Sequence, residues 1–227
     1  MEPLFLRGLS RGVAAGTEHL GALQSMRSNY IVDIGANRGQ FALVARKCYP
    51  SAKIISFEPL AEPAFVFRRV FADDPLTTLH EMALGCQEQE TDIHVSNADD
   101  SSSLLPVTSL QTGLFPGTGE KETRKIQVKR LDSILQREDI RKPSLLKIDV
   151  QGFEKQVLEG CSSLLQEFTF IYVECSFVEL YANQSLAPEV ISFLAESGFA
   201  LSGIYNVYYN KKGLAIQGDF LFKNDWA

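Results

Sequence analysis

Short apolar segments of strand length alternate with segments of helical periodicity from residue 30 onward. Mainly apolar runs bounded by turn-forming residues are typical of buried strands, and apolar positions three and four apart are typical of helices that cover a sheet. The predicted strands cover residues 30–34, 53–57, 77–82, 144–148, 168–173, 199–205 and 219–223. The predicted helices cover residues 39–48, 61–71, most of 152–165, and 188–197. This order predicts an α/β fold with a doubly wound, mostly parallel sheet that ends in an antiparallel C-terminal strand pair.

Two parts of the chain interrupt this alternation. Residues 1–29 contain glycines among their leucines, which predicts one or two short helices lying over the domain and any ligand cleft in it, or a loosely packed extension. Residues from about 86 to 141 hold only two short predicted strands, 91–95 and 125–128, and a short helix, 131–136. A long irregular segment often builds a binding site, so we expect this insertion to line the substrate site. Because the chain has no repeat and no linker, the whole of it is predicted to form a single domain (1–227).

A glycine-containing turn follows the first predicted strand, and an acid follows the second. The turn runs from Asp33 through Gly35, Asn37 and Gly39 into a helix. Gly35 allows a backbone conformation closed to other residues, so a ligand can lie against the N–H groups of the turn, at the positive end of the helix. Glu58 stands where nucleoside-binding folds place the acid that binds the ribose hydroxyls. The turn lacks the third glycine of the dinucleotide fingerprint, so it suits a ligand without phosphates better.

Acidic residues occur at the ends of most predicted strands. They are Asp33, Glu58, Glu81, Asp149 and Glu174. In an open α/β sheet, ligands bind beyond the carboxyl ends of the strands. The regular occurrence of acids there therefore predicts a functional rim. For Asp149 a purely structural role is an alternative, the capping of the helix that follows it.

Seven sequence blocks carry a resemblance to a known family. In chain order they are D-I-G-A-N-R-G at 33–39, F-E-P at 57–59, A-L-G at 83–85, S-S-S-L at 101–104, L-K-I-D-V-Q-G-F-E at 146–154, V-L-E-G at 157–160 and Y-V-E at 172–174. In this order they resemble the FkbM-type methyltransferases, which depend on S-adenosyl-L-methionine, over about residues 30–174. The block at 146–154 is the most specific, whereas the block at 33–39 is shared with other methyltransferases. The resemblance implies the Rossmann-like fold of class I methyltransferases.

The resemblance also implies a cofactor, S-adenosyl-L-methionine, and roles for individual residues. The cofactor-binding residues it indicates are Asp33, Gly35, Asn37, Gly39, Glu58, Pro59, Glu81, Met82 and Ala83. The substrate-binding residues it indicates are Ser101, Ser102, Ser103 and Gln151. Asp149 is the first candidate for the base that accepts the proton of an acceptor hydroxyl, and Glu174 is the second. Many family members have Glu where this chain has Gln151, so a direct chemical role of that acid does not carry over.

The implied reaction is methyl transfer to a hydroxyl of a small-molecule, glycan or lipid-like acceptor. Three alternatives remain open from the sequence. A nicotinamide-dependent oxidoreductase would share the fold and the ribose-binding acid, although the third glycine is absent. A methyltransferase acting on protein or nucleic acid is the second alternative, and a non-catalytic nucleotide-binding module of the same fold is the third. A carboxylate pair at the rim could hold a divalent ion, but the sequence contains no dedicated metal-ligand motif, so we predict no metal site.

Composition mainly excludes other classes of partner. The 227-residue chain has a formal net charge of −6 and a pI near 5.2, so no broad cationic field is expected to attract nucleic acid. Its four cysteines show neither C-x-x-C nor zinc spacing, which predicts free thiols in a reducing, cytoplasmic compartment. No apolar run approaches the roughly 20 residues of a membrane helix, and the first residues do not resemble a secretory signal. A homo-oligomer remains open.

Overall fold

The computed structural model of the protein describes residues 3–224. Its strands are β1 (Tyr30–Ile34), β2 (Lys53–Phe57), β3 (Thr77–His80), β4 (Ala83–Leu84), β5 (Gln89–Ser96), β6 (Glu120–Lys129), β7 (Ser144–Ile148), β8 (Phe170–Ser176), β9 (Phe199–Tyr209) and β10 (Ala215–Asn224). Its α-helices are α1 (Pro3–Ser10), α2 (Leu20–Gln24), α3 (Gln40–Cys48), α4 (Ala61–Val70), α5 (Ser109–Leu114), α6 (Glu154–Gly160) and α7 (Ala187–Glu196). The bounds of β1, β2 and β7 agree with the prediction, because each is a short apolar run between turn-forming residues.

Seven of these strands form one sheet in the order β3-β2-β1-β7-β8-β10-β9. Strands β3, β2, β1, β7 and β8 run parallel, and β10 runs antiparallel to both β8 and β9. Every residue of β1 and of β7 is buried, as expected for central parallel strands covered on both faces. The predicted mostly parallel α/β sheet and its antiparallel C-terminal pair are confirmed.

Alternate residues of the central strands face two separate hydrophobic layers. Val32 belongs to the layer that contains buried residues of α6 and α7, whereas Ile31 belongs to the layer that contains buried residues of α3 and α4. Because side chains alternate along a strand, Asp33 and its cross-strand neighbour Lys147 point toward the α3 layer. Two charged residues therefore interrupt an apolar face close to the carboxyl ends of the strands.

The N-terminal extension lies on the α3 side of the sheet. It consists of α1, a 3-10 turn at Thr17–His19, and α2, whose Ala22 and Leu23 are fully buried. The N–H of Gly16 donates to the carbonyl of Gln40, the first residue of α3, at 2.9 Å. The extension thus contacts the helix that follows the Gly35 turn and brings the 3-10 turn beside that helix.

The insertion between β3 and β7 contains a second sheet with the strand order β4-β6-β5. Strands β5 and β6 pair antiparallel, and β4 pairs parallel with β6. The strands predicted at 91–95 and 125–128 lie within β5 and β6 but are shorter, because the strand ends are exposed and polar and carry no apolar alternation. After β5 the chain folds back, and His94 and Ser103 exchange backbone hydrogen bonds of 2.8 and 3.1 Å. This return places the segment around Ser103 near the end of β7.

Three predicted elements are shorter in the structure. Helix α6 replaces a helix predicted over most of 152–165, because Gly152 has a φ of 97° and the helix ends at Gly160. The helix predicted at 131–136 is only a 3-10 turn at Leu131–Ser133. The strand predicted at 77–82 ends at His80. These differences occur at element ends, where backbone conformation and pairing with neighbours decide the boundary.

The turn after β1 passes close to the end of β7. Gly35 has a φ of 78°, and the N–H of Asp149 donates to the carbonyl of Ile34 at 3.1 Å. A Cβ atom at Gly35 would lie 1.7 Å from the carbonyl oxygen of Asp149. The space beside Gly35, which the sequence analysis left for a ligand, is therefore occupied by the protein's own backbone. Glycine is required here for the two strand ends to meet.

Gly35→Ala should lower the free energy of unfolding by about 2–5 kcal/mol, since it adds a collision with Asp149 to the cost of the left-handed conformation. Gly213→Ala is the matched control. Gly213 has a φ of 76°, but a Cβ there would meet nothing within 4 Å, so its substitution should cost only about 1–2 kcal/mol. Urea denaturation measures both losses. Equal losses of unfolding free energy in the two variants would contradict the explanation that Gly35 is required by its close contact with Asp149.

Candidate active site

A cavity of about 230 Å³ lies beyond the carboxyl ends of β1, β2 and β7. Its wall is formed by the residues that follow these strands, by the tip of the insertion and by the 3-10 turn of the N-terminal extension. The predicted site residues that line it are Gly35, Asn37, Glu58, Pro59, Met82, Ala83, Ser102, Ser103, Asp149 and Gln151. Residues from five of the seven sequence blocks, one of them in the insertion, are thus brought to one cavity.

The other five predicted site residues do not line the cavity. They are Asp33, Gly39, Glu81, Ser101 and Glu174. Glu81 follows the end of β3 and accepts a hydrogen bond from Arg68 at 2.7 Å on the protein surface. Gly39 directly precedes α3 and faces the core, where a Cβ would lie 2.6 Å from the ring of Phe71. The carbonyl oxygen of Ser101 lies 3.1 Å from the Tyr181 hydroxyl.

Glu58 is held in place by backbone donors on two sides. Its Oε2 accepts from the N–H of Asn37 at 3.0 Å, and its Oε1 accepts from the N–H of Leu60 at 2.8 Å. The residue is only 5% exposed, yet it lines the cavity. Glu58 is therefore oriented by the protein itself, with its carboxylate at the wall of the cavity.

The backbone N–H groups of the turn after β1 bind the protein itself. Those of Gly35 and Ala36 both donate to the carbonyl of Phe57 at 3.0 Å, and that of Asn37 donates to Glu58. The expectation that a ligand lies against these groups is wrong. Because β1 and β2 are paired neighbours, the turn closes onto the end of β2 instead. Its contribution to the site is the position of Glu58 and the shape of the wall.

A buried ion pair lies beneath this turn. Lys147 Nζ is 3.1 Å from Asp33 Oδ1, donates to the carbonyl of Gly35 at 3.0 Å, and is 3.8 Å from Asp149 Oδ2. Burial raises the pKa of the Asp33 carboxyl, although Lys147 opposes this. Burial alone would lower the pKa of Lys147, but the carboxylates of Asp33 and Asp149 outweigh it and the pKa is raised. Asp33 thus faces Lys147, and the lysine connects the turn to the end of β7.

The carboxylate of Asp149 is held by an amide. Asp149 Oδ1 accepts from Gln151 Nε2 at 2.7 Å, and the same nitrogen donates to Glu174 Oε2 at 3.1 Å. The Tyr181 hydroxyl donates to Gln151 Oε1 at 2.9 Å, which sets the orientation of the amide. Asp149 does not cap the following helix, since the residue before α6 is Phe153. Its side chain is 32% exposed and lines the cavity, whereas Glu174 lies behind Gln151.

Two further carboxyls near β7 and β8 are buried. Burial raises the pKa of Glu174 well above its usual range, and the nearby charges of Asp149 and Asp219 add to the effect. Burial also raises the pKa of Glu154 to about 7. Glu154 Oε1 accepts from the N–H groups of Val150 and Gly152 at 3.1 and 2.9 Å, so it holds the loop that carries Gln151. These two acids border the site without lining it.

Two basic residues that line the cavity were missed in the sequence analysis as site residues. They are His19, from the 3-10 turn of the extension, and Lys147. Lys147 carried a signal, because a lysine inside an otherwise apolar central strand needs a buried partner. His19 carried none, because its neighbours in the cavity come from distant parts of the chain. Its Nδ1 lies 3.1 Å from the hydroxyl of Tyr172 and 3.4 Å from Asp219 Oδ2.

The sheet order and the cavity beyond β1, β2 and β7 define a protein of the class I methyltransferase fold. A solved structure, that of a putative O-methyltransferase from Klebsiella pneumoniae, has this fold: its TM-score is 0.52 at 16% identity, and the match covers 99% of this chain and 90% of that chain. The family model of the methyltransferase FkbM domain matches residues 33–201. The chain belongs to the FkbM methyltransferase family, and it is an enzyme that transfers methyl groups.

Several relatives match most of the chain. Methyltransferase sdnD of Sordaria araneosa is 26% identical, with 82% of this chain and 80% of the relative covered. The 2-O-methyltransferase NoeI of Sinorhizobium fredii is 31% identical, with coverages of 72% and 70%. The hexuronic acid methyltransferase AglP of Haloferax volcanii is 27% identical, with coverages of 74% and 68%. The resemblance that the sequence blocks indicated is confirmed.

Three further observations concern the whole of the described chain. Among residues 3–224, no helix is both long enough and apolar enough to cross a membrane. In the same range, no group of three or more His, Cys, Asp or Glu side chains is positioned to hold a metal ion. Cys48, Cys86, Cys161 and Cys175 are free thiols.

Glu154→Gln should remove part of the pH dependence of stability. The native carboxyl has a pKa of about 7 against an ordinary 4.5, so between these values the native state keeps a proton that the unfolded state has lost. Native stability therefore falls as the pH rises through this window, by roughly 3 kcal/mol. Urea denaturation near pH 5 and near pH 8 should show the parent losing stability relative to the Gln variant. Parallel pH curves for the two proteins would refute this account of Glu154.

Proposed function

We propose that the chain uses S-adenosyl-L-methionine to methylate a hydroxyl group of a glycan or other small hydroxylated acceptor, with Asp149 as the proton acceptor. The observation that carries the proposal is the partly exposed Asp149 carboxylate, which lines the cavity and is oriented by Gln151. The names of two relatives, a 2-O-methyltransferase and a hexuronic acid methyltransferase, support an oxygen acceptor on a sugar.

The cavity fits a nucleoside with a polar tail. Near Glu58, the wall is largely apolar and includes Leu60, Met82, Leu84 and Ile93, which suits a flat adenine ring. Glu58 is in position to accept hydrogen bonds from both ribose hydroxyls. The wall becomes polar and charged toward the ends of β1 and β7, which suits the amino-acid part of the cofactor. Pro59 and Ala83 complete the wall on the apolar side.

S-Adenosyl-L-methionine supplies, when bound, an electrophilic methyl group on a sulfonium. Asp149 would accept the proton that the acceptor hydroxyl loses when its oxygen takes the methyl group. Gln151 contributes by holding Asp149 Oδ1, so that the carboxylate does not need to reorient during the reaction. Lys147 Nζ lies 3.8 Å from Asp149 Oδ2, so a cationic group stands beside the carboxylate that is the proposed proton acceptor.

The predicted substrate-binding serines belong to the wall on the insertion side. Ser102 Oγ accepts from the N–H of Ser96 at 3.1 Å, and Ser103 Oγ donates to the carbonyl of Gln151 at 2.6 Å. Both hydroxyls already contact the protein, so these serines act in the proposal by closing the cavity to water and, at Ser103, by supporting Gln151. The contact to the acceptor itself then comes from Asp149, since the Gln151 amide is held by Asp149, Glu174 and Tyr181.

Glu58→Ala should weaken the binding of S-adenosylhomocysteine by about 10- to 100-fold, because hydrogen bonds between a carboxylate and the ribose hydroxyls are lost. Glu81→Ala is the matched control, since Glu81 was also predicted to bind the cofactor but lies outside the cavity beside Arg68. The affinity of the Glu81→Ala variant for S-adenosylhomocysteine should stay within about twofold of the parent value. Isothermal titration calorimetry measures both. A Glu58→Ala variant that binds as the parent does would remove Glu58 from the cofactor site.

Asp149→Asn should lower the rate of methyl transfer by about 10²–10⁴-fold at saturating cofactor, the usual effect of losing a general base. The affinity for S-adenosylhomocysteine should change little, because the carboxamide keeps the size of the side chain. The measurement uses labelled cofactor with glucuronic acid, a neutral hexose and a glycolipid as candidate acceptors, and reads the mass of the methylated product. A variant rate within a fewfold of the parent would show that Asp149 is not the base.

A further inference from the structure

We propose that His19, on the N-terminal extension, binds the carboxylate at the amino-acid end of S-adenosyl-L-methionine and thereby determines specificity for the complete cofactor over nucleosides without that end. This inference rests on the proposed function. It assigns a ligand contact to a part of the chain that lies outside the sequence blocks of the family and outside residues 33–201.

The position of the His19 ring is set by groups from three elements. Its Nδ1 lies 3.1 Å from the hydroxyl of Tyr172 on β8 and 3.4 Å from Asp219 Oδ2 on β10. Its ring also makes an edge contact with Phe41 on α3, with centroids 5.3 Å apart. The side chain is only 14% exposed, yet the residue lines the cavity. A short turn of an otherwise peripheral extension would not need such contacts merely to cover the sheet.

The hydrogen bonds around Asp219 determine which nitrogen of the ring is engaged. The Tyr172 hydroxyl donates its single proton to Asp219 Oδ2 at 3.0 Å, and the Asn206 amide donates to the same oxygen at 2.7 Å. The hydroxyl oxygen is then left to accept, so His19 Nδ1 carries a proton and donates. This arrangement turns Nε2 away from Asp219. A ring protonated on both nitrogens bridges two carboxylates, Asp219 at Nδ1 and a ligand carboxylate at Nε2.

Asp219 itself is a stable anionic partner for such a ring. Burial acts to raise its pKa, but the hydrogen bonds from His19, Asn206 and Tyr172 outweigh burial and hold the pKa below its usual value. On the other side of the ring, Nε2 lies 3.6 Å from Glu18 Oε1. The Glu18 side chain is 58% exposed, so it can leave without breaking a buried contact. In this structure its carboxylate occupies the kind of position that a ligand carboxylate would take.

The second basic residue at the cavity is already engaged. Of the described residues that line the cavity, His19 and Lys147 carry the basic side chains. Lys147 directs its ammonium at Asp33 and at the carbonyl of Gly35, with Asp149 a further 3.8 Å away. An ammonium has only three protons to donate. A ligand carboxylate would have to displace one of these buried contacts, whereas at His19 it displaces only the exposed Glu18.

The order of the strands places His19 at the far end of the cavity from Glu58. Glu58 follows β2, and His19 lies over β8 and β10 through Tyr172 and Asp219. Between β2 and β8 stand β1 and β7, so the two residues are about three strand spacings apart, or ~14 Å. A nucleoside that binds Glu58 by its ribose and extends over the Gly35 turn therefore carries its tail toward His19.

The test compares two ligands that differ in the amino-acid end. S-Adenosylhomocysteine has this end, and 5′-methylthioadenosine lacks it. His19→Ala should weaken the binding of S-adenosylhomocysteine by about 10- to 100-fold, as expected for the loss of one charged hydrogen bond. The affinity for 5′-methylthioadenosine should change by less than about twofold. Retained binding of the second ligand also shows that the variant is folded. His19→Gln, which keeps a donor but no charge, should lie between the parent and the Ala variant. Isothermal titration calorimetry on the full chain measures all affinities.

His94→Ala is the matched control, because His94 contacts Glu120 on the second sheet, outside the cavity. It should leave both affinities unchanged. Equal weakening of the two ligands in His19→Ala would overturn the inference, since His19 would then only shape the cavity. The inference would also be overturned if His19→Ala left the affinity for S-adenosylhomocysteine unchanged, or if the parent bound both ligands equally well. In either case the proposed function would stand. A parent that binds neither ligand would instead refute the proposed function.

Discussion

The junction between β1 and β7 is the constraint on which the rest of the site depends. Lys147 stands opposite Asp33 in the register of the two strands, and both side chains are buried. A buried charge without its partner is strongly destabilising, so each of the two residues requires the other. The same lysine also binds the carbonyl of Gly35, and Gly35 lies directly against the carbonyl of Asp149. One set of contacts thus positions both the turn that orients Glu58 and the strand end that carries Asp149.

On either side of this junction the two walls of the cavity differ in character. Toward β2, Glu58 is fixed by backbone donors among apolar neighbours, which is where the proposed function puts the nucleoside. Toward β8 the carboxyl groups of Asp149 and Glu174 lie close together, and the Gln151 amide lies between them and donates to both. A neutral amide with two donor protons lets these carboxyls approach one point without facing each other directly. A glutamate at the same position would add a third carboxyl group at this point, so Gln151 changes the electrostatics of the site as well as its geometry.

Much of the fold and part of the site could be predicted from local pattern. The central strands are buried on both faces, and their apolar runs mark their bounds directly. Glu58, Asp149 and Gln151 were predicted because they belong to short blocks whose residues are neighbours in the chain as well as in space. The prediction failed where a residue's surroundings come from elsewhere. Glu81 was counted with the rim, but β3 ends before it and the side chain turns to Arg68. The N–H groups of the turn were assigned to a ligand, but Phe57 on the neighbouring strand accepts from two of them.

The sequence by itself determined the alternation of strands and helices, the need for glycine at position 35 and the acids at the strand ends, because these follow from side-chain periodicity and backbone freedom within a few residues. Only the tertiary structure decided what fills the space beside Gly35 and which charges meet. His19 and Asp219 come from opposite ends of the chain, and neither lies in a segment whose pattern indicates the other. Their contact exists because the extension packs on α3 while β10 inserts between β8 and β9. Such a contact depends on the packing of whole elements, and no local sequence pattern encodes it.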